Sequence, residues 1–248
     1  MKKVFFIGCL LLLGSACNMP ATPAPTAESA PAQTDSPTPT PASPNLDIPT
    51  SIAASPTPEP PPYFFTDEFD TGSPYWEFLQ SGGLSEATLL FEDNALRIDI
   101  STPDTWSIGI HNAHSYANVF IRAKISANPT GSAGLICRYD ESKGWFEYNV
   151  ASDGTYSALH GQWLAPGIAK YVPIITDRSG HLNAGSLNYE IGLSCQDNFI
   201  FLYVNDALIR RLEVTNYGLT EGNIGITVSS FKETPMTASL AWVTVNEK

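Results

Sequence analysis

Between residues 106 and 163 the sequence gathers side chains suited to holding a sugar: Trp106, Tyr139, Trp145, Tyr148, Tyr156 and Trp163, interleaved with Arg138, Glu147, Asn149, Asp153 and His160. Aromatic faces stack on the C–H surface of a sugar ring while nearby polar groups bond its hydroxyls, which is how a shallow groove retains carbohydrate. The competing account is that aromatic residues are favoured in strands and fill their cores. Arg138 is the sharpest single candidate, because a cation among aromatics suits recognition of a sugar or a carboxylate; the alternative is an arginine paired with an acid for structure. The candidate ligand-binding set is therefore Arg138, Tyr148, Trp106, Trp145, Glu147, Tyr156 and Trp163.

Patterns for bond-breaking chemistry are weaker. Retaining glycoside hydrolysis needs two carboxyl groups about 5 Å apart, which a strand supplies from acids at alternate positions. The nearest run, Asp67-Glu68-Phe69-Asp70, lacks that spacing. The sequence has no Gly-x-Ser-x-Gly elbow, no His-Glu-x-x-His, no phosphate-cradling glycine loop and no cysteine pair at metal spacing. His111 and His114 fall on opposite faces of a strand and are expected to be exposed loop histidines. No catalytic residue, metal or cofactor is expected.

Strands must carry these side chains. Leu96-Arg97-Ile98-Asp99-Ile100 and the run 119–125 alternate with their apolar residues on one face, while the runs 199–204 and 224–228 are apolar on both. Strands of both kinds imply stacked sheets. Ser152-Asp153-Gly154 and Asn205-Asp206 read as tight hairpin turns. With about thirteen strand-like runs and no amphipathic helix, the expected fold is all-β: a two-sheet antiparallel sandwich preceded by a disordered linker. A hairpin over residues 140–144 would pair Arg138 laterally with Phe146 and set it on the face of Tyr148.

The chain opens as a signal peptide: Met1, Lys2 and Lys3, an apolar run over 4–13, then Gly14, Ser15 and Ala16 before Cys17. The apolar run is about half of the ~20 residues that span a bilayer as a helix, so export with cleavage is expected. Leu13-Gly14-Ser15-Ala16-Cys17 resembles a bacterial lipobox, with Gly14 where an aliphatic residue is usual. That resemblance implies that Cys17 is acylated, that the membrane is a partner through the lipid anchor, and that the protein faces the extracytoplasmic side of the cell membrane. From Asn18 to Pro62, Pro, Ala, Thr and Ser supply 34 of 45 residues and aromatics none, a composition that cannot offset its ordering entropy and is expected to remain a disordered tether. Composition changes at Tyr63-Phe64-Phe65, giving a signal peptide over 1–16, a tether over 17–62 and a folded domain over 63–248.

The formal charge is -12, and without Lys2 and Lys3 it is 11 minus 25, or -14. Phosphates are repelled by such a chain, so nucleic acid is excluded as a partner. Cys137 and Cys195 are the two cysteines of the domain. Each shares strand phase with apolar neighbours, and in an oxidising compartment they form a disulfide or stay as two buried thiols.

The order of Asp67-Glu68-Phe69-Asp70, Trp76, Gly134-Leu135-Ile136-Cys137-Arg138-Tyr139, Trp145-Phe146-Glu147-Tyr148, Asp153-Gly154-Thr155-Tyr156, Phe201-Leu202-Tyr203-Val204-Asn205 and Gly222-Asn223-Ile224-Gly225 resembles the concanavalin A-like lectin/glucanase superfamily. The likeness is to the laminin-G-like and 3-keto-disaccharide-hydrolase-like jelly rolls of bacterial surface proteins, over essentially all of 63–248. It implies a jelly roll of two curved antiparallel sheets, one with a concave face that often contacts sugars. Asp206 departs from it, standing where such modules place Gly, and the Glu-x-Asp-x-Glu strand of the retaining glucanases is missing. The expectation is a cell-surface, lipid-anchored, non-catalytic module that binds carbohydrate, or another extracellular ligand such as a surface protein. The alternatives are a glycoside-acting hydrolase resembling the 3-keto-disaccharide hydrolases, using Glu147 and Asp153, and a structural protein-interaction module.

Overall fold

A computed structural model describes residues 59–247. The signal peptide, Cys17 and the tether before Glu59 lie outside the described residues. Fifteen strands follow one another: β1 (Phe65–Asp67), β2 (Trp76–Gly82), β3 (Thr88–Glu92), β4 (Ala95–Ile100), β5 (Thr105–Tyr116), β6 (Val119–Ala127), β7 (Gly131–Asp140), β8 (Gly144–Ala151), β9 (Thr155–Ala165), β10 (Ile168–Arg178), β11 (Leu187–Gln196), β12 (Phe199–Val204), β13 (Ala207–Glu213), β14 (Gly222–Ser230) and β15 (Met236–Asn246). A single 3-10 turn, Thr215–Tyr217, is the only helical element among the described residues. One sheet has the order β13-β12-β11-β6-β15-β4-β3 with β1 beside β15, and the other has the order β10-β9-β8-β7-β14-β5-β2. Every pairing is antiparallel. The fold is the expected all-β, two-sheet antiparallel sandwich.

The inward phase of each strand builds the core. Ile98, Ile121, Ile125, Leu193, Leu202, Leu240 and Val243 come from the eight-stranded sheet, and Leu135, Phe146, Tyr148, Val150, Ile224 and Ile226 from the seven-stranded one, all buried. Burying one such aliphatic side chain contributes about 1.5–3 kcal/mol. Cys137 of β7 and Cys195 of β11 face each other within this layer and are joined as a disulfide, with Cα atoms 6.6 Å apart. The bridge therefore ties one sheet to the other.

Local features that the sequence singles out take defined shapes. At the 205–206 turn both Asn205 (φ 47) and Asp206 (φ 64) are left-handed, the geometry of a two-residue hairpin that Asn and Asp tolerate. The Asp206 carboxylate accepts from Arg122 at 2.7 Å, so a charged contact accompanies the residue that stands where Gly is usual. Asp67-Glu68-Phe69-Asp70 is a structural corner: Asp67 accepts from the Phe69 amide at 2.9 Å and from Trp76 Nε1 at 2.8 Å.

Two expectations are corrected. Arg138 does not pair with Phe146, because β7 bulges after Cys137, which takes that partner, and pairing resumes only at Asp140. At φ 54, Arg138 instead sends its guanidinium to the Leu219 carbonyl at 2.9 Å and to the Ala117 carbonyl at 2.9 Å and 3.2 Å. His111 is not an exposed loop residue: it is 1% exposed on β5, with its ring 4.5 Å from that of Phe65 and 5.1 Å from that of Trp76. Burial lowers its pKa to about 4. His114, also on β5, shares a hydrogen bond with the Pro61 carbonyl at 2.8 Å, so the chain is already seated on the sandwich at Pro61. Among the described residues no group of three or more His, Cys, Asp or Glu side chains could hold a metal.

The bridge closes a loop with a sequence separation of 58, for which chain entropy gives a stabilisation of about 4 kcal/mol. Reductant is expected to lower the melting temperature of the native protein and to leave a Cys137→Ala/Cys195→Ala chain, already less stable, unchanged. An equal response of the two proteins to reductant would contradict the bridge.

Candidate functional site

The seven-stranded sheet is apolar on its outer face as well as its inner one. Leu79 of β2, Trp106, Ile108 and Ile110 of β5, Ile136 and Tyr139 of β7, Trp145 of β8, Trp163 of β9, and Ala169 and Tyr171 of β10 form a second hydrophobic cluster there. The sheet curls over this face. β5 and β10 are five strand positions apart in the sheet order, roughly 24 Å if the sheet were flat, yet the rings of Trp106 and Tyr171 stack with centroids 5.1 Å apart. The two edge strands meet where the Gly82 amide donates to the Gly167 carbonyl at 3.2 Å and the Ala169 amide donates to Ser81 Oγ at 2.9 Å.

Trp145 is the centre of the curl and is fully buried. Its indole lies flat on Gly161, where an added Cβ would come within 2.2 Å of the ring. Trp163 is 5.4 Å away and Tyr171 5.8 Å away by ring centroids. Alternation along β8 places Glu147 and Asn149 on the same face. Glu147 is fully buried and accepts from Trp145 Nε1 at 2.9 Å and Asn149 Nδ2 at 2.7 Å. Burial raises the pKa of its carboxyl, while the hydrogen bonds from Asn149 and Trp145 pull it down. Thr227 and Trp106 add smaller pulls in the same direction, although Thr227 Oγ1 and Trp106 Nε1 make no well-formed hydrogen bond. Tyr171, whose hydroxyl is buried without a partner, is pushed up by burial and by the charge of Glu147. A carboxyl sealed in this way cannot reach a glycosidic oxygen while the curl stays closed.

Beside the sealed centre the same face opens into a groove. Two cavities of about 580 and 460 Å³ share Leu79, Tyr139 and Glu141 in their linings. Tyr139, buried, borders both and the half-buried Trp163 lines the larger, the two being locked together by the Trp163 Nε1 hydrogen bond to the Tyr139 hydroxyl at 3.0 Å. Leu164, 64% exposed, and Pro166 form one wall at the β9–β10 turn, and Glu77 stands on the opposite strand, β2.

The structure thus divides the sequence-derived set. Trp106, Trp145, Glu147 and Trp163 share the curled outer face, with Trp163 alone of the four lining the groove. Tyr148 and Tyr156 belong to the other phase of their strands and sit in the inter-sheet core, Tyr148 donating to the Tyr203 carbonyl at 3.1 Å. Arg138 is a buried cap on two loop carbonyls. Asp153 holds the β8–β9 turn, accepting from the Thr155 amide at 2.9 Å and hydroxyl at 2.6 Å, and is no partner for Glu147. Leu79, Tyr171, Glu77 and Glu141 were outside the sequence-derived set. Only the alternation of Ala169 and Tyr171 along β10 signalled an inward face there.

No protein-family model matches this chain, and no curated protein matches it. Among solved structures, it resembles a glycoside hydrolase family 16 endo-glucanase from Bacteroides ovatus at 8% identity and TM-score 0.51, covering 73% of this chain and 99% of that one. The catalytic domain of an endo-1,3-beta-glucanase (laminarinase) from Thermotoga petrophila matches at 11% identity and TM-score 0.51, over 74% of this chain and 97% of that one. A Bacillus subtilis protein with a galectin-like fold matches at 11% identity and TM-score 0.50, over 74% and 94%. The fold is the concanavalin A-like jelly roll.

The sealed carboxyl has a measurable consequence. A carboxyl whose folded pKa is raised contributes its full stability below about pH 4.3 and loses it as pH rises through the raised value, at about 1.4 kcal/mol per pH unit. The melting temperature of the native protein is expected to fall relative to that of Glu147→Gln as pH increases above the ordinary carboxylate range. A native advantage growing with pH would show instead an ionised Glu147 stabilised by its donors.

Proposed function

We propose that this protein is a non-catalytic carbohydrate-binding module held at the extracytoplasmic face of the cell membrane by an acylated Cys17. The observation that carries the reading is the open groove lined by Trp163, which the buried Tyr139 holds in place. Trp163, half-buried and fixed by its hydrogen bond to the buried Tyr139, offers a preformed stacking surface, and Glu77 and Glu141 at the rim offer acceptors for sugar hydroxyls. The non-catalytic part is supported by Glu147, which is closed off from solvent and whose hydrogen-bonding partners are an indole and an amide. The glucanase likenesses, at 8% and 11% identity, bear on fold alone.

Affinity electrophoresis of the full-length chain through gels containing soluble polysaccharides tests this. Retardation by at least one polysaccharide is expected. Trp163→Ala is expected to weaken it by about tenfold or more, the equivalent of about 1.4 kcal/mol. Trp242→Ala, on β15 of the other sheet, is the control expected to leave retardation intact. Equal retardation of both variants would contradict the assignment.

The anchor is tested separately. Cys17→Ser is expected to move the exported protein from the detergent phase to the aqueous phase, and equal partitioning of the two proteins would overturn the lipid attachment.

A further inference from the structure

The groove is edged by charge that nothing in the fold balances. Glu77, Glu86, Glu141 and Glu221 line it and are exposed. Among the described residues none of the four has an ion-pair partner, whereas Asp140 beside them is held by Lys143 at 3.2 Å. Lys143 is the only cation in the lining. The field reaches the buried phenol beneath: burial, and then the charges of Glu141, Glu77 and Asp140, raise the pKa of Tyr139 against the pull of the Trp163 hydrogen bond.

Like charges around one concave surface focus a negative potential that concentrates cations and repels anions. Uronic or sulfated sugars would add to the repulsion, and a neutral sugar would leave it in place. We propose that the groove takes a polysaccharide bearing free amino groups, with a sugar face on Trp163 and ammonium groups paired to Glu77 and Glu141. This rests on the carbohydrate-binding reading above. A basic polypeptide would satisfy the same charges and could lay a cationic side chain on the indole; the rigidly held, half-buried face of Trp163 in a shallow groove favours the flat ring of an amino sugar.

The test compares glucosamine oligomers with N-acetylglucosamine oligomers of equal length on the full-length chain, at a pH where the free amines are protonated. Binding of the free-amine oligomers is expected to be at least tenfold tighter. That preference is expected to shrink between 0.01 and 1 M salt, as the screening length falls from about 30 to about 3 Å. In Glu77→Gln/Glu141→Gln the ratio of the two affinities is expected to approach one, with melting temperature measured to confirm that the variant is folded. The salt series on the unmodified chain keeps the test valid if the variant fails to fold. Equal affinities for the two oligomers, or a preference insensitive to salt, would overturn the amine assignment while leaving carbohydrate binding in place. Binding of polylysine with no oligosaccharide bound would overturn the amine assignment in favour of a basic protein partner, and binding of neither probe would overturn it outright, carbohydrate binding itself being decided by the polysaccharide gels.

Discussion

Trp145 lying flat on Gly161 is the contact on which the outer face of the seven-stranded sheet depends. Glycine is required there because a side chain at 161 would occupy the volume of the indole. With the ring laid down, its Nε1 meets Glu147 two residues along the same strand, and its face meets Trp163 and Tyr171 from the next two strands. The sheet must then curl to bring those strands over. Apolar side chains on both faces of one sheet leave few other solutions: one face is covered by the partner sheet and the other by the sheet itself.

This arrangement separates a sealed half of the outer face from an open half. Glu147, Asn149, Thr227 and the indole N–H of Trp106 are enclosed, and a buried carboxyl among indole and amide donors is a structural element before it is a chemical one. Trp163 and Tyr139 stand at the boundary. Each touches Trp145 on one side, with centroids 5.4 and 5.5 Å away, and the groove on the other. The rigidity of Trp163 is therefore borrowed from the sealed centre, so a ligand stacking on it would order little protein on arrival.

Strands and their core phases were legible because alternation is a local property. Leu135 and Cys137, or Ile191, Leu193 and Cys195, show it within five residues, and the phase turns both cysteines inward; which of bridge or free thiols results is seen only in the structure, where they are joined. Arg138 was misplaced because a bulge of a single residue reverses the phase, and the left-handed backbone at Arg138 leaves no trace in the sequence. Tyr148 and Tyr156 were grouped with Trp145 by proximity along the chain, although alternation places them on the opposite face. The curl was not legible at all. It depends on β2 and β10 meeting, about 90 residues apart, through two hydrogen bonds and a covering of side chains, so the acidic rim it assembles from Glu77, Glu141 and Glu221 had no local signature.

The central claim is that ligand meets Trp163 in the open groove while Trp145 and the indole N–H of Trp106 stay sealed beneath the curl. All five tryptophans of the chain lie in the folded domain, so their indole N–H resonances report on each location during a titration with glucosamine oligomers. The account predicts that the Trp163 signal shifts with added oligomer, while those of Trp145 and Trp106 hold their positions and remain protected from solvent exchange. Shifts at Trp145 and Trp106 with none at Trp163 would contradict it.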